Sequence, residues 1–334
     1  MVDCRQPVLF LQRKEDHYMG KTHKSKIGGQ ALIEGIMMKG IYKSAMACRL
    51  PDGTIDVETW DENNGKNAPW YKKTPFVRGS FNFVSSLVSG YKCLMKSAEK
   101  QMTEDDTEEE MSKFEKWLDD KFGEKIMGVV STIALVFGVV LSLFLFKFIP
   151  TFATKPLEDV HILRTIVEGI LKIAIFIGYL AVTSCMKDIR RTYEYHGAEH
   201  KTIACYEHHE ELTVENVKKH SRFHPRCGTS FIFISLFISI FVFCFIPAFP
   251  GLSKTVRIFA RLGIQVLLLP IIIGIAYELI KLAGRKENTF TKILSAPGLQ
   301  LQKLTTREPD AQQIEVAIAA IKPCIPEDLE DDNW

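Results

Sequence analysis

Four long stretches of the chain are rich in apolar residues and nearly free of charge. Residues 126–149 and 229–249 are each about as long as the roughly 20 residues that cross the hydrocarbon core of a bilayer. Two further stretches, 162–184 and 258–280, contain a few charged residues, and arginines near the end of such a stretch can extend to the lipid headgroups. The pattern predicts four transmembrane helices, one over each stretch.

Charged residues inside the second of these stretches have a helical spacing. Glu168 and Lys172 are four residues apart, so they would share one face of a helix. Charged side chains within a membrane are usually paired with one another. The sequence therefore predicts that these two side chains pair inside a helix bundle.

The connections between the apolar stretches differ in their content of Lys and Arg. The connection 185–228 contains eight such residues, whereas 150–161 contains one and 250–257 contains two. Cytoplasmic connections carry the excess of positive charge in membrane proteins, so we expect the N terminus, the C terminus and residues 185–228 in the cytoplasm. Seven of the eight cysteines lie in or next to these segments. Thiols stay reduced there, which favours metal binding or burial over disulfides.

The remaining segments show strand and helix patterns. β-prone residues alternate on both sides of a Pro-Asp-Gly turn and predict a hairpin over 44–60. Apolar residues at helical spacing predict an amphipathic helix over 75–96, and another helix over 310–322 after a Pro-Gly turn. The segment 28–40 is apolar and bracketed by glycines, and we expect its Glu34 to pair with a cation.

These patterns predict a mainly α fold: a polytopic α-helical membrane protein with about four transmembrane helices and a small cytoplasmic α+β portion. We find no nucleic-acid-binding motif. The predicted segments are 1–26 (irregular extension), 27–125 (hairpin, amphipathic helix and acidic linker), 126–149 (transmembrane), 162–184 (transmembrane), 185–228 (cytoplasmic connection), 229–249 (transmembrane), 258–280 (transmembrane) and 281–334 (cytoplasmic C-terminal segment).

The cytoplasmic connection contains the spacing H-x-x-E-H, at His196, Glu199 and His200. We expect the second transmembrane helix to continue to residue 207, which would place these side chains on one face at about 100° per residue. Two imidazoles one turn apart can hold a divalent transition metal such as zinc, and the adjacent carboxylate can take a proton from water. The spacing predicts a metal site with Glu199 as the catalytic base.

A catalytic zinc site needs a third protein ligand and an open position. Glu207 is one candidate, and His224 and Cys227 follow in a turn just before the third apolar stretch. Cysteine and histidine suit zinc better than magnesium or calcium. A plainer interpretation also fits the sequence, in which the histidines and the cysteine are merely buried and Glu199 pairs with Lys201, Arg222 or Arg226.

Several long motifs occur in order along most of the chain. They are GGQALIEGIMMKG at 28–40, PFVRG at 75–79, MKDIRRTYEYHGAEHKTIACYE at 186–207, LTVENVKKHSRFHPRCGTSF at 212–231, YELIKLAG at 277–284 and APGLQLQKLTTREPD at 296–310. With these motifs the chain resembles the YqhQ-like family of bacterial membrane proteins. The resemblance implies a location in the bacterial cytoplasmic (inner) membrane. It also implies a metal-dependent enzyme of unknown reaction, although that metal dependence is itself inferred for the family.

Two main classes of function follow. The first is a metal-dependent hydrolase acting on a peptide or lipid-derived substrate at the membrane face, with metal ligands drawn from His196, His200, His224 and Cys227. The second is a membrane scaffold or a partner in protein biogenesis, in which all four ligands fill a structural site or no metal binds. A third class, transport, would rest on one charged pair within a membrane span.

Overall fold

The chain folds mainly into helices and carries one small antiparallel sheet near its N-terminal end. The computed structural model describes residues 23–65, 68–101, 126–157, 160–247, 249, 251, 253–285 and 288–332. Most of the extension expected over 1–26, and the acidic linker at 103–110, lie outside these residues. The strands are β1 (Gly28–Leu32), β2 (Gly35–Lys39), β3 (Lys43–Arg49) and β4 (Ile55–Asp61).

Ten helices serve to describe the architecture of these residues. They are α1 (Trp70–Lys73), α2 (Val77–Glu99), α3 (Ile126–Leu143, extended by Phe144–Phe148 and Ile149–Ala153), α4 (His161–Thr183), α5 (Lys187–Glu207), α6 (Val214–Lys219), α7 (Gly228–Cys244), α8 (Lys254–Arg285), α9 (Thr289–Thr305) and α10 (Ala311–Ile321). The helices expected over 75–96 and 310–322 are confirmed as α2 and α10.

The sheet consists of two successive hairpins in the order β1-β2-β3-β4. The hairpin expected over 44–60 is confirmed as β3 and β4. The segment 28–40 forms the first hairpin, and Glu34 lies in its turn with a φ of 47°. Non-glycine residues rarely adopt this left-handed conformation. The Glu34 carboxylate forms the expected ion pair, with Arg191 of α5, and this contact helps to hold the turn.

Helices cover both faces of the sheet. On one face, Ile36 of β2 belongs to the main hydrophobic core together with Tyr195 of α5 and Ile314 of α10. On the other face, Met37 belongs to a smaller cluster that includes Cys93 of α2. Successive residues of a strand point to opposite faces, so β2 is buried on both sides. This packing fixes α5, the helix that carries the H-x-x-E-H spacing, against the sheet.

Three helices among the described residues are long and apolar enough to cross a membrane: Thr132–Ala153, His161–Thr183 and Thr255–Arg285. They coincide with three of the four predicted stretches and are consistent with a membrane protein. The stretch predicted over 229–249 forms α7, which is apolar but has 17 residues. It packs against α4, α8 and α9.

The helix expected to continue from the second apolar stretch to residue 207 is interrupted, so that prediction is wrong. α4 ends at Thr183 and α5 begins at Lys187. Between them, Met186 has an extended backbone with φ −74° and ψ 134°, which ends the helical hydrogen bonding. α5 can therefore run in its own direction, along the sheet.

The Pro-Gly turn expected before the C-terminal helix is also wrong, because Pro297 and Gly298 lie inside α9. A Cβ atom on Gly298 would be 2.3 Å from the Oγ atom of Ser230 in α7. The missing side chain therefore allows α9 and α7 to approach closely.

Glu168 pairs with a different residue from the one expected. Its Oε1 atom accepts hydrogen bonds from Arg164 Nε at 3.2 Å and from Thr154 Oγ1 at 3.1 Å. Arg164 is also one turn away, but toward the N terminus of α4. Lys172 forms no ion pair with Glu168 in the part of the chain that the structure describes.

Candidate metal centre

Helix α5 is held in place close to its two histidines. Gly197 lies against the segment that follows α9. A Cβ atom on Gly197 would be 2.0 Å from the carbonyl oxygen of Arg307 in that segment. The Arg307 amide in turn donates a hydrogen bond to the Tyr193 carbonyl oxygen at 2.8 Å. Glycine weakens a helix by itself, and here close packing requires it. The position of the H-x-x-E-H residues is therefore set by contacts on both sides of the helix.

Both histidines of this spacing are oriented by backbone carbonyl groups. His196 Nδ1 lies 2.8 Å from the oxygen of Thr305, and His200 Nδ1 lies 2.7 Å from the oxygen of Arg222. A carbonyl oxygen only accepts hydrogen bonds, so each Nδ1 atom carries the proton. When a ring is in its neutral form, its Nε2 atom is therefore the one with a lone pair for a metal ion. Metal-binding histidines are commonly oriented in this way.

Cys227 completes a group of three potential ligands. It is the N-cap residue of α7, and its Sγ atom lies 3.3 Å from His196 Nε2. Ligand atoms of His196, His200 and Cys227 all lie within 4.8 Å of one another. His200 and Cys227 are buried. Two nitrogen atoms and one sulfur atom at such separations match the ligand types that zinc prefers.

Electrostatics favour charge separation within this group. Burial raises the pKa of the Cys227 thiol, but the neighbouring His196 and His200 lower it well below its usual value. Burial lowers the pKa of His196, but the charge of Cys227 and its hydrogen bond raise that pKa to about 9. The thiolate form of cysteine is the one that binds metals. The site therefore stabilises the ligand form of Cys227.

The side chain of Glu199 lies beside this group. The side chain is buried, and its carboxylate accepts a hydrogen bond from the Gly29 amide of β1. Its Oε2 atom has no hydrogen-bond partner among the described residues. Burial raises the pKa of the carboxyl group, although His196 and His200 oppose the shift. A buried carboxylate with a raised pKa next to potential metal ligands is typical of a general base.

The cations considered as partners of Glu199 are engaged elsewhere. Lys201 Nζ lies 2.9 Å from Glu308 Oε2, and Arg222 Nε lies 3.4 Å from Glu308 Oε1. Arg226 pairs with Glu207. The interpretation of Glu199 as a partner of one of these three cations is therefore not supported.

His224 lies next to the three-ligand group but outside it. The side chain of Gln302 holds the backbone of His224. Its Oε1 atom accepts a hydrogen bond from the His224 amide at 2.8 Å, and its Nε2 atom donates one to the His224 carbonyl oxygen at 2.7 Å. The Nε2 atom of His224 is 3.1 Å from Arg226 Nη2, and the His224 ring is 5.4 Å from the His200 ring. Burial lowers the pKa of His224 to about 4, and Arg226 adds to this effect. The ring is thus neutral near pH 7.

Glu207, the other candidate ligand, contacts different groups. Its carboxylate pairs with Arg226 and accepts a hydrogen bond from the Ser25 amide at 2.6 Å. Burial raises the pKa of this carboxyl group, but hydrogen bonds and charges from His224 and Arg226 lower it to about 2. Glu207 therefore positions the loop that carries His224.

A second group of possible ligands, Cys205, Glu210 and His220, lies near the end of α5. Burial raises the pKa of the Cys205 thiol to about 11, and Glu210 adds to this effect. Cys205 Sγ donates to the Glu211 carbonyl oxygen at 3.7 Å. A protonated thiol in this setting is a poor metal ligand.

Sequence reasoning missed several groups that build the first site. The amide of Gly29 and the carbonyl oxygens of Thr305 and Arg222 are backbone atoms, so no side-chain pattern reveals them. A Cβ atom on Gly29 would be 2.9 Å from Glu199 Cδ, which explains the second glycine of the GGQ motif. The GGQ motif and the motif that contains Gln302 were the parts of the sequence that could have indicated these contacts.

The fold and the site define a mainly helical protein. Three helices of its described part are long and apolar enough to cross a membrane, and a group of two histidines and a cysteine lies beside a buried glutamate. Residues 74–327 match the family described as "Protein of unknown function (DUF1385)", and the chain belongs to this family. It is 34% identical over 298 residues to "Uncharacterized protein YqhQ" of Bacillus subtilis (strain 168), covering 87% of this chain and 89% of that protein. The resemblance to the YqhQ-like family is confirmed. No solved structure matches the chain.

Proposed function

We propose that the protein is a zinc-dependent hydrolase of the bacterial cytoplasmic membrane. The observation that most supports this function is the meeting of His196, His200 and Cys227 within 4.8 Å of one another, beside Glu199. Glu199 Oε2 has no hydrogen-bond partner among the described residues. Three protein ligands leave one position of a tetrahedral zinc site for water, as catalytic sites require.

The residues divide the chemistry between them. Zinc, when bound, would polarise the substrate carbonyl or phosphoryl group and make a water molecule more acidic. Glu199 would take the proton of the attacking water and later give it to the leaving group. Thr305 and Arg222 would keep the imidazole rings oriented through their carbonyl oxygens. Such supporting contacts commonly affect metal affinity about 10- to 100-fold.

A cavity of about 610 Å³ is lined by His224, whose ring lies 5.4 Å from the His200 ring. His196, Glu199, His200 and Cys227 do not themselves line it. His224 and Arg226 line it from the loop before α7, and Ala283 and Leu299 line it from α8 and α9. We infer that a substrate would approach the three-ligand group from this cavity, on the side of His224. We infer a peptide or lipid-derived substrate that is met at the cytoplasmic face of the membrane.

The scaffold class has a specific structural requirement. A structural zinc site usually has four protein ligands, and His224 is the available fourth side chain. Its Nε2 atom is 3.1 Å from Arg226 Nη2, so the ring would have to give up this contact. The observed arrangement favours three ligands.

X-ray absorption at the zinc edge should distinguish these two classes. For the zinc-loaded protein we expect one sulfur atom at about 2.3 Å and two imidazole nitrogen atoms and one further oxygen atom at roughly 2.0–2.1 Å. His224→Ala should leave this spectrum unchanged. A spectrum of the unaltered protein with three imidazoles, reduced to two by His224→Ala, would favour the scaffold instead.

The proposed orientation rests on the distribution of Lys and Arg. A topology reporter fused after Trp334, and one inserted near Glu211, should both report the cytoplasm. A reporter in the connection between α3 and α4 should report the outside. Labelling of Cys205 or Cys227 by an impermeant thiol reagent on intact cells would contradict this orientation.

A further inference from the structure

A second cavity, of about 570 Å³, lies between the first hairpin, α1, α2 and the C-terminal end of α8. Its lining is strongly basic, and none of the described residues that line it is Asp or Glu. The cationic residues of the lining are Lys26, Lys39, Lys72, Lys73, Arg78 and Lys281. We call it the basic cavity.

Six cationic residues and no carboxylate in the described lining give the basic cavity a positive charge, which Glu62 and Glu278 outside the lining offset in part. Arg78 forms a two-point ion pair with Glu278, at 2.7 and 2.5 Å, so its charge is balanced. Lys72 Nζ donates to the neutral side-chain oxygen of Asn64 at 2.8 Å. Lys39 Nζ is 3.9 Å from the nearest carboxylate oxygen, on Glu62. Like charges brought together in a partly buried site repel unless an anion lies between them.

Lys39, at the end of β2, is a partly buried lysine of this lining. Its side chain is 20% exposed, and its Nζ atom is 3.4 Å from Ser85 Oγ of α2. Burial lowers the pKa of Lys39; the charge of Glu62 opposes this shift, and the neighbouring Lys72 adds a smaller lowering. An anion bound at this position would remove the cost of holding the two ammonium groups close together.

The backbone of the lining also permits a close approach. Gly28 lines the basic cavity at the start of β1, and a Cβ atom there would meet no other atom within 4 Å. Asn82 and Ser86 supply neutral hydrogen-bonding groups from α2. Several ammonium groups with neutral donors around a concave space suit an oxyanion with many acceptor atoms.

The surroundings indicate where such an anion would come from. Tyr277 and Lys281 belong to α8, one of the three helices that are long and apolar enough to cross a membrane. The neighbouring α2 exposes a row of large apolar side chains on its surface. They are Phe81, Val84, Leu87, Val88 and Tyr91. Asn82 and Ser86, which line the basic cavity, lie on the opposite face of α2 at about 100° per residue, so the apolar row would rest on a membrane surface with the cavity behind the helix.

We propose that the basic cavity binds the phosphate group of an anionic phosphate ester, either as the headgroup of an acidic phospholipid or as a soluble molecule. The volume of the cavity lies within the roughly 300–1,000 Å³ range of small-molecule sites. It is a concave pocket, whereas nucleic acids are bound by extended basic surfaces. None of the side chains of His196, Glu199, His200 and Cys227 lines the basic cavity, so this proposal does not depend on the hydrolase function.

The test uses the full chain purified in detergent and then placed in lipid nanodiscs. Retained lipid is measured by mass spectrometry after delipidation, with phosphatidylglycerol and phosphatidylcholine supplied in equal amounts. Soluble glycerol 1-phosphate is titrated separately. The test variant is Lys39→Gln with Lys72→Gln. The control variant is Lys92→Gln with Lys303→Gln, which removes the same charge from two exposed lysines outside the cavity lining.

We expect the unaltered protein to retain phosphatidylglycerol in preference to phosphatidylcholine. Each lysine replacement in the cavity should weaken binding by about tenfold, because hydrogen bonds to charged groups are among the strong ones. The control variant should retain the lipid. If glycerol 1-phosphate binds as tightly as the lipid, with the same dependence on Lys39 and Lys72, the soluble ester is the ligand.

Three results would overturn the proposal. One is equal retention of both lipids by the unaltered protein together with no binding of glycerol 1-phosphate. Another is equal binding by the test variant and the unaltered protein. The third is an equal loss of binding in the control variant, which would mean that binding depends on the general surface charge and not on the cavity. If the test variant does not fold, Lys39→Arg with Lys72→Arg replaces it, and this variant must keep the preference for phosphatidylglycerol.

Discussion

Glu199→Gln is expected to leave a folded protein that keeps its zinc but has lost about 10²-fold or more of its catalytic rate. The replacement preserves the size of the side chain, and its amide oxygen can still accept the hydrogen bond from Gly29. The change also removes a charge that burial disfavours, so stability should not fall. What the variant lacks is the base that accepts the proton of the attacking water.

Complementation of a deletion phenotype, at matched protein levels, measures this loss. Glu215→Gln is the matched control, because it makes the same chemical change at an exposed position of α6. The control should complement normally. Normal complementation by Glu199→Gln at the protein level of the unaltered chain would rule out the hydrolase and leave the scaffold.

His200→Ala is expected to lose most of the bound metal, because the removal of one of three ligands severely weakens binding. The change also removes the hydrogen bond to the Arg222 carbonyl oxygen from a fully buried position. We therefore expect abundance to fall together with metal content. His208→Ala, at an exposed position near the end of the same helix, should change neither.

The parts of the fold that local patterns determine could be predicted from the sequence. Strand β4 lies at the edge of the sheet and alternates between exposed and half-buried residues, so the hairpin over 44–60 was visible. Strand β2 is buried on both faces and therefore shows no alternation. The hairpin formed by residues 28–40 could not be recognised for this reason.

The end of the helix before α5 shows a second limit of local patterns. Residues 184–186 contain neither glycine nor proline, so nothing in the sequence marks the interruption. The extended backbone of Met186 lets α5 pack on the sheet, and that gain comes from contacts with residues far away in the chain. Tertiary packing of this kind commonly overrides helix propensity.

The site itself was partly predictable. The spacing of His196, Glu199 and His200 follows from helix geometry alone. Helix geometry does not determine whether His224 or Cys227 is the third ligand, because both lie in one short turn before α7. Gln302, from a distant part of the chain, holds the His224 backbone, and the N-cap position directs Cys227 toward His196. Such long-range contacts have no local signal.

Elemental analysis of the purified protein tests the central claim, a metal held by His196, His200 and Cys227, most directly. We expect roughly one equivalent of zinc, or of a comparable divalent transition metal, to copurify with the unaltered chain. The combined variant His196→Ala, His200→Ala and Cys227→Ala should contain almost none. Full retention of metal by this combined variant, or a folded unaltered protein that binds no zinc when zinc is supplied, would contradict the account.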